Sequence, residues 1–209
     1  MRSLALFISY LLHPVFMLTY ITSFFVFTEN YFSYFMSPAK KIFLLAAVFI
    51  FSVALPLLNV ALLKRLGYIK SAHMNNSAER FMPYLSSIVL HGGLLYIIHD
   101  LDIPFFFKYL VVASLAVLLV LFTVNIFTKI SAHAASLAGC LGILIFYEFI
   151  SFAPVLTPVC TCLFLCGLAG FARLYLQTHT PKQVYLGFVT GLSGSMLCLI
   201  LLLYINYRF

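Results

Sequence analysis

FFFKYLVVASLAVLLVLFTVNIF (Phe105–Phe127) carries a single charge, Lys108, close to its start. The run exceeds the roughly 20 apolar residues that a helix needs to cross a bilayer core. Its apolar residues do not alternate with polar ones, which argues against a barrel strand and for a membrane-spanning helix. Comparable runs lie at Ser3–Phe27, Ile42–Leu63, Phe81–Ile98, Ala134–Phe152, Val155–Phe171 and Val184–Ile205. The expected fold is therefore all-α: one multi-pass membrane domain over residues 1–209, with six core transmembrane helices and an additional N-terminal span.

Composition agrees. The chain is 64% hydrophobic and 8% charged, whereas soluble domains carry about 25% charged residues. Its net charge of +7 is scattered among connections, with no basic run longer than two residues. That pattern sets topology or meets lipid headgroups and excludes nucleic acid as a partner. The first apolar run is too long for a signal peptide and lacks a small-residue cleavage site after its core. His13-Pro14 inside it predicts a kink, with the freed carbonyl satisfied by a neighbouring group. Cys140, Cys160, Cys162, Cys166 and Cys198 all fall in apolar spans and read as small buried hydrophobes. Gly139-x-x-Gly142, Gly167-x-x-Gly170 and Gly187-x-x-x-Gly191 predict places where helix backbones approach closely in lipid.

Three polar islands interrupt the apolar pattern: Arg80-Phe-Met-Pro83, Ser131-Ala132-His133 and Arg173-Leu-Tyr-Leu-Gln-Thr-His179-Thr-Pro-Lys-Gln183. Two spans separate the first from the second, and two more separate the second from the third. Even numbers return the chain to its starting side, so hydropathy alone allows all three to meet at one end of a bundle. Asp100 and Asp102 belong to the opposite end. An arginine offers a permanently charged donor fork, and a histidine is a nucleophile or proton carrier near neutral pH. Gathered together, such groups suit a phosphate.

In order and spacing, the islands resemble the three motifs of the type 2 phosphatidic acid phosphatase family: Lys-x6-Arg-Pro, Pro-Ser-Gly-His and Ser-Arg-x5-His-x3-Asp. Here the third reads Ala172-Arg173, five residues, His179, three residues, Gln183. The second reads Ile130-Ser131-Ala132-His133. The first reads His73, six residues, Arg80, with the proline delayed to Pro83. The resemblance covers roughly residues 70 to 200, within a phosphatase-like core of about 40–206.

The resemblance implies a membrane phosphatase of lipid phosphates or isoprenoid pyrophosphates, working without metal or other cofactor. His179 would attack phosphorus and carry the phosphoryl group, and His133 would protonate the leaving oxygen and then activate water. Arg80 and Arg173, with Ser131 and His73, would bind the phosphate oxygens. Two departures weaken charge in the pattern. Gln183 stands where the family has an aspartate, so it can orient His179 but not stabilise a positive ring. His73 stands where the family has a lysine. A second reading therefore stays open: a binding or transport protein that holds lipid phosphates in a degenerate pocket. Basic residues are more numerous on the island side, which by the positive-inside rule favours a cytoplasmic site in a bacterial inner membrane.

Overall fold

The computed structural model describes residues 1–69, 78–151 and 155–208, and every regular element among them is helical. Six helices are long and apolar enough to cross a membrane: Pro38–Arg65, Phe81–His99, Phe105–Phe127, Ala132–Ser151, Leu156–Tyr175 and Pro181–Ile205. The chain is a multi-pass integral membrane protein with an all-α fold.

The N-terminal apolar run is two helices, α1 (Arg2–Leu11) and α2 (Pro14–Phe27), bent by 58° at the break between them. The cause is local. Pro14 has no N–H to donate, and the backbone tightens just before it. The Leu12 N–H donates to the Ile8 carbonyl at 2.9 Å, and the His13 N–H donates to the Tyr10 carbonyl at 3.3 Å. A regular helix would have sent the His13 N–H to Ser9. The Ser9 carbonyl is thus passed over by the backbone and must find a side chain.

The chain forms two compact units, one of residues 18–129 and one of residues 1–17 with 130–209. The first contains α3 (Tyr31–Tyr34), α4 (Pro38–Phe49), α5 (Leu55–Arg65), α6 (Phe81–His99) and α7 (Phe105–Phe127). One π-helical turn, Ile50–Ala54, joins α4 to α5, and the Leu55 N–H reaches back five residues to Ile50. This wider turn falls just where Pro56 interrupts the hydrogen-bond ladder. Buried His91 ties α6 to α7: its Nδ1 meets the Ser87 carbonyl at 2.8 Å, and its Nε2 meets the Ser114 hydroxyl at 3.3 Å. At the far end of α6 from Arg80, Lys40 donates to Asp102 at 2.6 Å. The lysine holds that exposed carboxyl below its ordinary range.

The second unit gathers α1 with α8 (Ala132–Ser151), α9 (Leu156–Tyr175) and α10 (Pro181–Arg208). Ala5 and Ile8 of α1, with Leu12 at its C-cap, recur at three- and four-residue spacing and pack against Cys166, Ala169 and Ala172 of α9. Small residues are what close packing requires in lipid, where apolar surface alone gives no preference for protein over acyl chain.

Helices α8 and α10 are closer still. A β-carbon on Gly187 would stand 2.6 Å from the Ser131 carbonyl oxygen and 2.9 Å from the Ala134 β-carbon. One on Gly191 would overlap the Ala135 carbonyl, and one on Gly142 would overlap the Ser195 hydroxyl. The predicted glycine contacts at 187, 191 and 142 are therefore backbone-to-helix approaches, while Gly167 has open space around it. Matching residues rise together along both chains, so α8 and α10 run parallel and begin at the same end.

Candidate functional site

That shared end is also where α9 finishes, and its finish places two of the predicted site residues. The helix closes in a Schellman turn: the Gln177 N–H donates to the Leu174 carbonyl at 3.0 Å, and the Thr178 N–H donates to the Arg173 carbonyl at 3.2 Å. Gln177 takes the left-handed conformation, φ 53°, that glycine ordinarily supplies at this position. Gly67, φ 80°, does so in the matching turn after α5. Arg173 is thereby held in the last turn of α9, and the chain reverses at once to bring back His179, which is buried.

Helix α10 then starts with a reciprocal cap. The Gln183 N–H donates to the Thr180 hydroxyl at 3.4 Å, and the Thr180 N–H donates to Gln183 Oε1 at 3.2 Å, with Pro181 as the first helical residue. This is a capping box, Thr-x-x-Gln, which satisfies two amides that a helix start leaves unpaired. The same Oε1 lies 3.1 Å from His179 Nδ1. A backbone N–H can only donate, so the atom facing Thr180 is the amide oxygen, and that oxygen can only accept from His179. Nδ1 therefore carries the imidazole proton, and Nε2 keeps its lone pair. Gln183 fixes the tautomer a nucleophilic histidine needs, through a neutral acceptor.

Gln183 also joins the second polar island to the third. Its carbonyl accepts from the Ser131 N–H at 3.2 Å, a contact that the glycine at 187, one turn along α10, makes possible. Ser131 itself is fully buried. Its hydroxyl accepts from the Ala134 N–H at 3.4 Å, which makes it the N-cap of α8.

His133, in the first turn of α8, turns toward the N-terminal helix. Its Nε2 lies 3.1 Å from the Ser9 carbonyl. This is the carbonyl left over at the Pro14 break, and since it can only accept, Nε2 carries the proton. Arg173 Nη1 donates to the Ser9 hydroxyl at 3.3 Å. The His13 ring meets the His133 ring edge-on, centroids 5.2 Å apart. His133 stands within electrostatic range of Arg173, His13 and His179. Glu148 is the sole carboxylate in the sequence of this unit. It lies fifteen residues beyond His133 on α8, or about 22 Å at 1.5 Å per residue. Arg173, His13, His133 and His179 are thus gathered near the starts of α8 and α10, with no carboxylate of the same unit close by among the described residues, an arrangement that favours an anion.

Four predicted site residues and the predicted partner of His179 thus come together: His133, Arg173, His179 and Ser131, with Gln183. Arg80 belongs to the other compact unit, where it occupies the N-cap position of α6 without a side-chain cap hydrogen bond and stands close to Tyr84. His73 lies outside the described residues. Among the described residues, no group of three or more His, Cys, Asp or Glu is placed to hold a metal ion. Sequence reasoning treated His13 as packing and passed over Ser9 altogether. The one signal was Pro14, whose missing N–H disturbs the pairing of the carbonyls a turn earlier but does not say which one is left over or what will meet it. Comparison of the chain with protein-family models, with curated proteins and with solved structures gave no match.

Proposed function

We propose that this chain is a membrane-embedded phosphatase that hydrolyses a lipid phosphate or isoprenoid pyrophosphate through a phosphohistidine, as a divergent relative of the type 2 phosphatidic acid phosphatases. The observation that carries the reading is the 3.1 Å contact between His179 Nδ1 and Gln183 Oε1, which leaves Nε2 as the nucleophile beside Arg173 and His133. In the first step Nε2 forms a bond to phosphorus while the bond from phosphorus to the lipid oxygen breaks. The leaving oxygen takes the Nδ1 proton of a doubly protonated His133, which is left as the neutral ring with its Nε2 proton on the Ser9 carbonyl. In the second step His133 removes a proton from water, the resulting hydroxide attacks phosphorus, and the bond to Nε2 breaks.

Each role has a physical reason. His133 keeps its Nε2 proton on the Ser9 carbonyl, so Nδ1 is the nitrogen that exchanges protons with the reaction. Arg173 and the N-termini of α8 and α10 oppose the charge that builds on the phosphoryl oxygens. Arg80 and His73 are proposed as further phosphate contacts on the strength of the motif spacing alone. The excess of basic residues on the island side supports a cytoplasmic site, and the membrane is proposed to be a bacterial inner membrane.

One observation favours the alternative of a binding or transport protein: Gln183 orients His179 without giving it charge. Purified protein in detergent distinguishes the two. On the phosphatase reading it releases inorganic phosphate from phosphatidic acid or an isoprenoid pyrophosphate, and His179→Ala abolishes the release. Tight binding of those lipids with no release by wild type would move the assignment to the alternative.

A further inference from the structure

The N-terminal helix lies outside the stretch that carries the three motifs, yet one of its residues touches two site groups at once. Ser9 is buried on the α9 side of α1. Its carbonyl is 3.1 Å from His133 Nε2, and its hydroxyl is 3.3 Å from Arg173 Nη1. The carbonyl is available only because the chain breaks at Pro14 and the His13 N–H goes to Tyr10 instead. The hydroxyl is held in place by the packing of Ala5, Ile8 and Leu12 on α9. The two contacts act on different properties. One selects the tautomer of His133, much as a carboxylate or carbonyl does for histidines in other sites. The other restrains the rotamer of a long side chain that would otherwise lose considerable freedom on gripping a ligand.

We infer that Ser9 is a positioning residue of the anion site, setting the His133 tautomer through its carbonyl and the Arg173 guanidinium through its hydroxyl. This rests on the reading of Arg173 and His133 as phosphate-handling groups. The break at Pro14 is then part of the site: a continuous helix would return the Ser9 carbonyl to the His13 N–H and take it from His133. Proline serves here as the device that exports a backbone acceptor.

The two halves separate by mutation of the full-length protein in detergent micelles. Ser9→Ala removes the hydroxyl and keeps the carbonyl. It is expected to weaken binding of inorganic phosphate about fivefold, the loss of one ordinary hydrogen bond, while the nitrogen NMR signature of His133 still reports the Nε2-protonated tautomer. Ser9→Thr restores the affinity. Pro14→Ala does the reverse, shifting His133 away from that single tautomer. Unchanged or tighter phosphate binding in Ser9→Ala would overturn the inference, since Ser9 would then compete with the anion instead of supporting its site. An unaltered His133 signature in Pro14→Ala would overturn the carbonyl role. Wild type that binds no phosphate yet shows the Pro14-dependent tautomer would count against the proposed function and leave the positioning of His133 standing.

Discussion

Replacing Gln183 by glutamate changes one atom of the site and adds one charge. Glutamate has the same length, so its Oε1 can occupy the position now 3.1 Å from His179 Nδ1 and 3.2 Å from the Thr180 N–H. It also serves equally well in the capping box, and a negative charge suits a helix N-terminus. The fold should therefore be indifferent or slightly stabilised. The chemistry should not be. On the proposed mechanism His179 is neutral before attack and becomes positive as its Nε2 bonds to phosphorus, so an adjacent carboxylate would stabilise the transition state more than the ground state. At a separation of 3.1 Å and an effective dielectric of about 20, the Coulomb attraction is about 5 kcal/mol. Desolvating the carboxylate removes much of that, and hydrogen bonds to charged groups retain about 1.5–3 kcal/mol, or roughly a ten- to hundredfold gain in turnover. Steady-state phosphate release, compared between wild type and Gln183→Glu over pH 5–9, measures it. The same comparison with Gln183→Asp, whose shorter side chain falls short of Nδ1, should give a smaller gain. An unchanged rate in Gln183→Glu, with the fold intact, would refute the claim that His179 acquires positive charge during the reaction.

Two further outcomes test the architecture that holds the site. Gly191→Ala places a methyl group on the Ala135 carbonyl, so α10 must move off α8. A destabilisation of about 1–3 kcal/mol is expected, the usual cost of overpacking, read from thermal unfolding in detergent. Gln177→Gly relieves a left-handed conformation (φ 53°) at an exposed position and should stabilise by about 0.5–1 kcal/mol in the same assay.

Much of the fold is legible in the sequence. Hydropathy located the six helices that are long and apolar enough to cross a membrane, because in lipid a span must be long, apolar and internally hydrogen-bonded. The glycines at 187 and 191 marked a close helix approach, and Pro14 marked the break. The spacing from Arg173 to Gln183 put a cation and an imidazole on either side of one tight reversal. Other features were hidden for physical reasons. Ser9 looks like any small residue in an apolar run, and what it gives His133 is a backbone oxygen, which no side-chain pattern encodes. Its partners lie more than a hundred residues away in sequence. Gln183 invited reading as a substituted aspartate, while Thr180-x-x-Gln183 spelled a capping box in plain view. The capping box explains how an amide can orient His179. Ser131 reads as a ligand by motif and proves to cap α8 by hydrogen bonding.

The central claim is that His179 carries the phosphoryl group. Rapid mixing of the protein with radiolabelled lipid phosphate, an alkaline quench that preserves phosphohistidine, and peptide mapping test it directly. The account predicts label on the peptide containing His179 in wild type, and none there in His179→Ala. Turnover with no labelled peptide, or with label on another residue, would contradict it.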